Sequence, residues 1–138
     1  MSYVLTSPKK VEVRESSIHG YGVFAIEPIR TGEIIEECHL IKIPIKMGHI
    51  PQFMVDYKFN YPSGQKPEEY VLPLGYGCIY NHSHENNAMW RTHQERKLFE
   101  FYAIRDIEVG EEVCTNYGGK RYWDTLEEIK KSHNNSLI

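Results

Sequence analysis

The sequence predicts a mainly β domain of many short strands, closed by one short C-terminal helix. Three observations carry that expectation. Apolar and polar residues alternate with period two at Val11–Arg14 and again at Ile41–Lys46. Aromatic and aliphatic residues crowd the stretch from Lys97 to Ile104. One strand–turn–strand pattern is written twice, with a glycine at the same place in each copy.

In chain order, Val11 and Val13 alternate with Glu12 and Arg14 and predict a short half-buried strand. Gly20-Tyr-Gly22 then predicts a turn into a strand at Val23–Ile26. Ile41, Ile43 and Ile45 alternate with Lys42, Pro44 and Lys46; Pro44 lacks a ladder donor, so an edge strand is expected. Met47 to Glu69 holds three Pro and two Gly around the aromatics Phe53, Tyr57, Phe59 and Tyr61. It predicts a long loop with one helical turn near Phe53–Tyr57. Leu72 to Ile79 is mostly apolar and is expected inside. Leu98, Phe99, Phe101 and Tyr102 predict a further strand. The terminal helix is expected from about residue 124, with Asp124 or Thr125 as its cap, Glu127 or Glu128 closing a capping box, and a frayed end.

The repeated pattern runs from Phe24 to Ile35 and from Tyr102 to Val113. Each copy is aromatic-Ala-Ile-x-x-Ile-x-x-Gly-Glu-x-aliphatic. In each, Ile29 or Ile107 should pin a turn to the core, and Gly32 or Gly110 should supply a positive φ before the next strand. Two copies do not make a solenoid; one turn device is used twice.

Length and composition bound the function. A chain of 138 residues is one typical domain; here the core is expected at about 11–124, with a helix and tail at 124–138. Such a chain buries roughly 68% of its unfolded surface and needs neither disulfide nor metal to hold a core. Its net charge of −3 leaves no footprint for nucleic acid and mildly suits a lysine-rich partner. Cys38, Cys78 and Cys114 stand far apart without a CxxC pair, which points to reduced thiols and a cytosolic or nuclear setting. No apolar run approaches a membrane span, and the N-terminus lacks a signal peptide's apolar stretch.

Three segments could carry chemistry. Gly20-Tyr21-Gly22 lets a backbone bend sharply and approach a ligand, although alone it is a plain turn. Asn81-His82-Ser83 opens a stretch dense in uncharged polar groups; a buried Asn offers two donors and an acceptor, enough to clamp an amino-acid moiety or to brace a neighbouring loop. His82 and His84 invite a metal, but neither His93 nor Cys78 has helpful spacing as a third ligand, so no metal is expected. Tyr117 precedes two glycines, which lets its hydroxyl come close to a ligand. No nucleophile elbow, P-loop or zinc-protease motif is present.

The order of these segments is more specific than any one of them. Gly20-Tyr-Gly-Val-Phe-Ala25, Gly32-Glu33, Asn81-His-Ser83 with Asn87, and Ile107-x-x-Gly-Glu-Glu-x-x-x-x-Tyr117-Gly resemble the SET-domain protein lysine methyltransferases over about residues 11–124. Glu36-Glu-Cys38, Leu74–Ser83 and Tyr117–Trp123 look most like the minimal viral and bacterial SET proteins. The resemblance implies small curled β-sheets around a threaded C-terminal segment. It implies S-adenosylmethionine as cofactor, S-adenosylhomocysteine as product, and a protein lysine as substrate, histone tails being the family's usual target. Gly20, Tyr21 and Gly22 would line the cofactor, Asn81 and the His82 backbone would hold it, and Trp123 would cover its adenine. Tyr117 would be catalytic at the mouth of a lysine channel walled by Tyr57 and Tyr122. The family's Cys-x-Pro-Asn after Asn-His-Ser is His84-Glu-Asn86-Asn87 here, which alters the loop. No Cys-rich flank is seen, so no structural zinc is expected and a homodimer is plausible. Two competing expectations are a SET-fold binding module without turnover and a metal-dependent hydrolase built on His82, His84 and His93.

Overall fold

A computed structural model describes residues 3–118. Among them are nine strands: β1 (Val11–Glu15), β2 (Tyr21–Ala25), β3 (Ile34–Ile43), β4 (Phe59–Tyr61), β5 (Glu69–Pro73), β6 (Asn81–His82), β7 (Ala88–Thr92), β8 (Leu98–Ala103) and β9 (Glu112–Thr115). They form a four-stranded sheet in the order β1-β2-β9-β6 and a five-stranded sheet in the order β4-β5-β3-β8-β7. The pairings are antiparallel except β6 with β9. The expected C-terminal helix lies outside the described residues.

The core forms from alternate residues of these strands. Val23, Ala25, Val71, Phe99, Phe101, Ala103 and Val113 are all essentially inaccessible. Phe59 packs edge-on to Trp90 at 4.9 Å, and Tyr80 stacks on Phe101 at 4.5 Å. Such aromatic pairs add directional contact to a largely aliphatic interior.

The repeated pattern pairs with itself. Ile29 and Ile107 form a two-residue bridge, each amide donating to the other's carbonyl at 2.9 and 2.8 Å. The neighbouring bonds repeat the reciprocity: Gly32 N donates to Ala103 O at 2.7 Å and Gly110 N to Ala25 O at 2.8 Å, while Ala25 N reaches Glu111 O and Ala103 N reaches Glu33 O. Both isoleucines are 1% exposed. Gly32 and Gly110 have φ of 86° and 91°, the left-handed region that favours glycine. The two turns therefore clasp the two sheets to each other.

Three sequence expectations change. Ile41 and Ile43 belong to the long strand β3, which stands inside the five-stranded order; its residues 34–39 pair with β8 and 40–43 with β5 alone, so the edge expectation holds at the isoleucines but not for the whole strand. Pro44 lies just past the strand's end, where its missing donor breaks nothing. The loop from Met47 to Glu69 does contain a short turn, a 3-10 turn at Gln52–Met54, but also β4, whose ladder to β5 appears only once Val71 and Tyr70 stand beside it. The run from Leu72 to Ile79 is less interior than its apolarity implies. It leaves β5 in a turn in which Leu74 is 46% exposed.

Candidate active site

Strand β9 runs between β2 and β6, and this brings the three polar segments together. Val23 faces Val113, Asn81 pairs with Cys114, and His82 with Thr115. Two buried asparagines lock the crossing. Asn87 Nδ2 donates to Glu112 O at 2.9 Å and its Oδ1 accepts from Cys114 N at 2.9 Å, so one side chain completes β9's ladder as a strand would. Asn81 Nδ2 donates to His19 O and Tyr21 O at 3.1 Å each and to Glu112 Oε2 at 2.7 Å. Ser16 Oγ donates to the other oxygen of Glu112 at 2.7 Å. Of the two tasks a buried Asn could take, the amide nitrogen at 81 performs the bracing one.

Gly20 has φ of 47° and is exposed, as is Tyr21. Gly22 is buried for a different reason: a Cβ there would lie 2.3 Å from Glu112 Oε2 and 3.1 Å from Asn81 Nδ2. The second glycine thus permits the close approach of β2 to Asn81 and Glu112.

Tyr117 lies beside this crossing. Its amide donates to His82 Nδ1 at 2.9 Å, and its hydroxyl makes a short hydrogen bond to the carbonyl of Tyr80. The residues on either side of Asn81 are therefore both tied to Tyr117. Burial raises the Tyr117 phenol well above its ordinary pKa, and neighbouring acidic groups add to the shift. The group is a neutral hydroxyl at physiological pH. It lines a cavity of about 510 Å³ together with Phe59, Met89, Trp90 and Cys78. Burial lifts the Cys78 thiol to about 11, so it too is protonated.

Placement of the other expected residues is mixed. Tyr57 is 57% exposed and meets the site through its carbonyl, 3.5 Å from Cys78 Sγ. Among the described residues, the aromatic ones lining the cavity are Phe59, Trp90 and Tyr117. Trp90 went unnoticed in the sequence; its position in β7, beside a strand rich in aromatics, was the available signal. Tyr122 and Trp123 lie outside the described residues. His82 and His84 rings are in contact at 4.7 Å, whereas His93 joins Glu37 and Glu100 elsewhere. That second group has three possible ligand atoms within 4.8 Å. However, His93 Nδ1 accepts from the amides of Glu95 and Arg96, which leaves the neutral ring's proton on Nε2, facing the two carboxylates. A ring so fixed offers hydrogen to Glu37 and Glu100 rather than a lone pair to a cation. Among the described residues no helix is long and apolar enough to cross a membrane.

Comparison with known proteins places this geometry. A family model described as SET domain matches residues 20–118. A histone-lysine N-methyltransferase of Schizosaccharomyces pombe, H3 lysine-37 specific, is 28% identical over 124 residues, covering 88% of this chain and 80% of that protein. The histone-lysine N-methyltransferase ATXR7 of Arabidopsis thaliana is 30% identical over 131 residues, 85% of this chain but 9% of that much longer protein. A crystal structure from Plasmodium falciparum, described as that of a candidate histone methyltransferase, has a TM-score of 0.67 and 34% identity, covering 83% of this chain and 97% of that one.

Proposed function

The chain belongs to the SET-domain family of S-adenosylmethionine-dependent protein-lysine N-methyltransferases, and from that premise we propose which residues perform the transfer and on what substrate. Tyr117 is the catalytic residue, and the segment Gly20–Gly22 with Asn81 and His82 holds the cofactor. The observation that carries this is the tie between Tyr117 and both neighbours of Asn81, at the wall of a cavity. A histone tail is the substrate proposed first, because the relatives named above are histone-lysine methyltransferases.

The residues suit the cofactor. Among the described residues, the three hydrogen bonds made by the Asn81 side chain all use Nδ2, so Oδ1 is not spent in them. The Glu112 carboxylate beside it complements a ligand's ammonium or sulfonium charge. The exposed turn at Gly20 offers backbone without a Cβ. When bound, S-adenosylmethionine supplies an electrophilic methyl group.

The chain's own task is to present a neutral amine in line with that methyl. A free lysine with pKa ~10.4 is almost wholly charged at pH 7, and neutralising it costs about 4–5 kcal/mol. Phe59, Met89 and Trp90 disfavour the ammonium and lower that cost, as do the cations Lys58 and Arg91 of the same cavity, against the opposing charge of Asp56. Tyr117 donates its proton to Tyr80 O, so its oxygen meets the incoming amine as a hydrogen-bond acceptor and orients it. Because its phenol is held above its ordinary pKa, it is no base near neutrality; the amine's proton leaves to water before entry.

Incubation with radiolabelled S-adenosylmethionine and a panel of histones and other lysine-rich proteins tests the activity. Label should appear on lysine. Tyr117→Phe should lower kcat by about 100-fold while cofactor affinity changes less than about two-fold. Equal losses in both would remove the hydroxyl from catalysis. With a lysine peptide, the rate should rise about ten-fold per pH unit from about 7 to 9, as the amine deprotonates. Since the Tyr117 pKa is raised, no fall from its ionisation should interrupt that rise.

A further inference from the structure

Glu36 is 1% exposed and has no ion pair among the described residues. A carboxylate taken out of water without a cation is costly, and its hydrogen bonds show where it acts. Its Oε1 accepts from the Tyr80 hydroxyl at 2.7 Å, and its Oε2 from the Tyr76 amide at 3.4 Å. The chain is shaped to create this site. The ladder between β3 and β8 shifts register between Ile34 and Glu36, and the four residues Ile35 to Cys38 are all buried. A bulge of this kind re-aims a side chain that regular alternation would send elsewhere. From the other side, Gly75 has φ of 73°, and a Cβ there would lie 2.8 Å from Glu36 Oε2. Glycine alone lets the turn after β5 settle onto the carboxyl group.

Tyr80 is held at both its face and its tip. Its ring lies on Phe101 at 4.5 Å and 16°, and its hydroxyl ends on Glu36. The peptide carbonyl of this same residue accepts the hydrogen bond from the Tyr117 hydroxyl. We propose that Glu36 and the Tyr80 phenol form a buried positioning pair for Tyr117, acting through the carbonyl of residue 80. The carboxyl fixes the Tyr80 ring, the ring fixes its own backbone, and the backbone aims the Tyr117 oxygen. The proposal rests on Tyr117 being the catalytic tyrosine. It assigns a role to two residues that touch neither cofactor nor lysine.

Tyr80→Phe keeps the ring on Phe101 and removes one hydroxyl; Glu36→Gln keeps the shape and replaces one acceptor oxygen by a donor. Each should lower kcat about ten-fold and leave both KM values within about two-fold, as expected for a misaimed group rather than a lost binding contact. The double variant should be no slower than the slower single variant, because both break one link. Variants that melt lower yet turn over at the wild-type rate would show a purely structural pair and overturn the proposal. So would single effects that multiply. If Glu36→Gln does not fold, Tyr80→Phe decides alone. Tyr117→Phe in the same assay separates the two ideas. Full activity there defeats the catalytic assignment, whereas a dead Tyr117→Phe beside fully active Tyr80→Phe defeats the positioning pair only.

Discussion

Asn81 directs one side-chain nitrogen to three acceptors, the backbone carbonyls of His19 and Tyr21 on either side of Gly20 and one carboxylate. Removing a donor that serves part-buried acceptors costs about 0.5–1.5 kcal/mol, and more towards a charged one such as Glu112, or about ten-fold when it falls on a binding equilibrium. Asn81→Ala should therefore weaken cofactor affinity about ten-fold or more by calorimetry and speed amide exchange around Tyr21. Unchanged affinity would mean that the braced turn is not part of the cofactor site. The sequence pointed to Asn81, because an amide leaving an apolar run needs partners. It did not point to Glu112, which is 31 residues distant and reads as an ordinary acidic residue before a strand. Gly22 was visible too, as a ligand-facing glycine; that a Cβ there would also meet Glu112 and Asn81 was not.

Among the elements, the twin turns at Ile29 and Ile107 tie the sheets together. Either isoleucine cut to alanine leaves a cavity at a fully buried bridge, and such losses run to about 2–5 kcal/mol. Urea unfolding should give Ile29→Ala and Ile107→Ala similar losses, because their backbone partners are reciprocal. A loss at one position with none at the other would contradict the equivalence of the two turns. These turns were legible because their signal is local: an isoleucine, then a glycine three residues on. Strand β4 was not legible. It has three residues, sits among prolines, and acquires its ladder from Glu69, Tyr70 and Val71. The edge assignment for β3 holds only at its last residues, for a related reason. A proline limits only the residues beside it, and β3 ends one residue before Pro44.

Across the whole molecule, the N-terminal segment is fastened to the far sheet by Glu37. Its Oε2 accepts from the Tyr3 hydroxyl at 2.7 Å and its Oε1 from the Thr6 amide at 2.8 Å. Burial alone would raise its pKa, but these hydrogen bonds outweigh burial and hold it below the ordinary value. Its neighbour Glu36 shifts the other way, raised first by burial. A depressed carboxyl contributes stability above its unfolded pKa of about 4.3, and that contribution fades as pH falls through the folded value. Glu37→Gln should therefore melt lower than wild type near pH 7, with the gap closing as pH drops below about 4. A gap that persists in acid would mean that the charge at 37 is not what fastens the segment. By itself the sequence determined the family, the order of the three polar segments, and the glycine turns, since each of these is written in residues close together in the chain. Only the tertiary structure decided that Glu36 meets Tyr80 across 44 residues, that Asn81 leans on Glu112, and that Trp90 rather than Tyr57 lines the cavity. Those pairings arise when β9 enters between β2 and β6 and burial leaves each polar group only the partners the crossing brings.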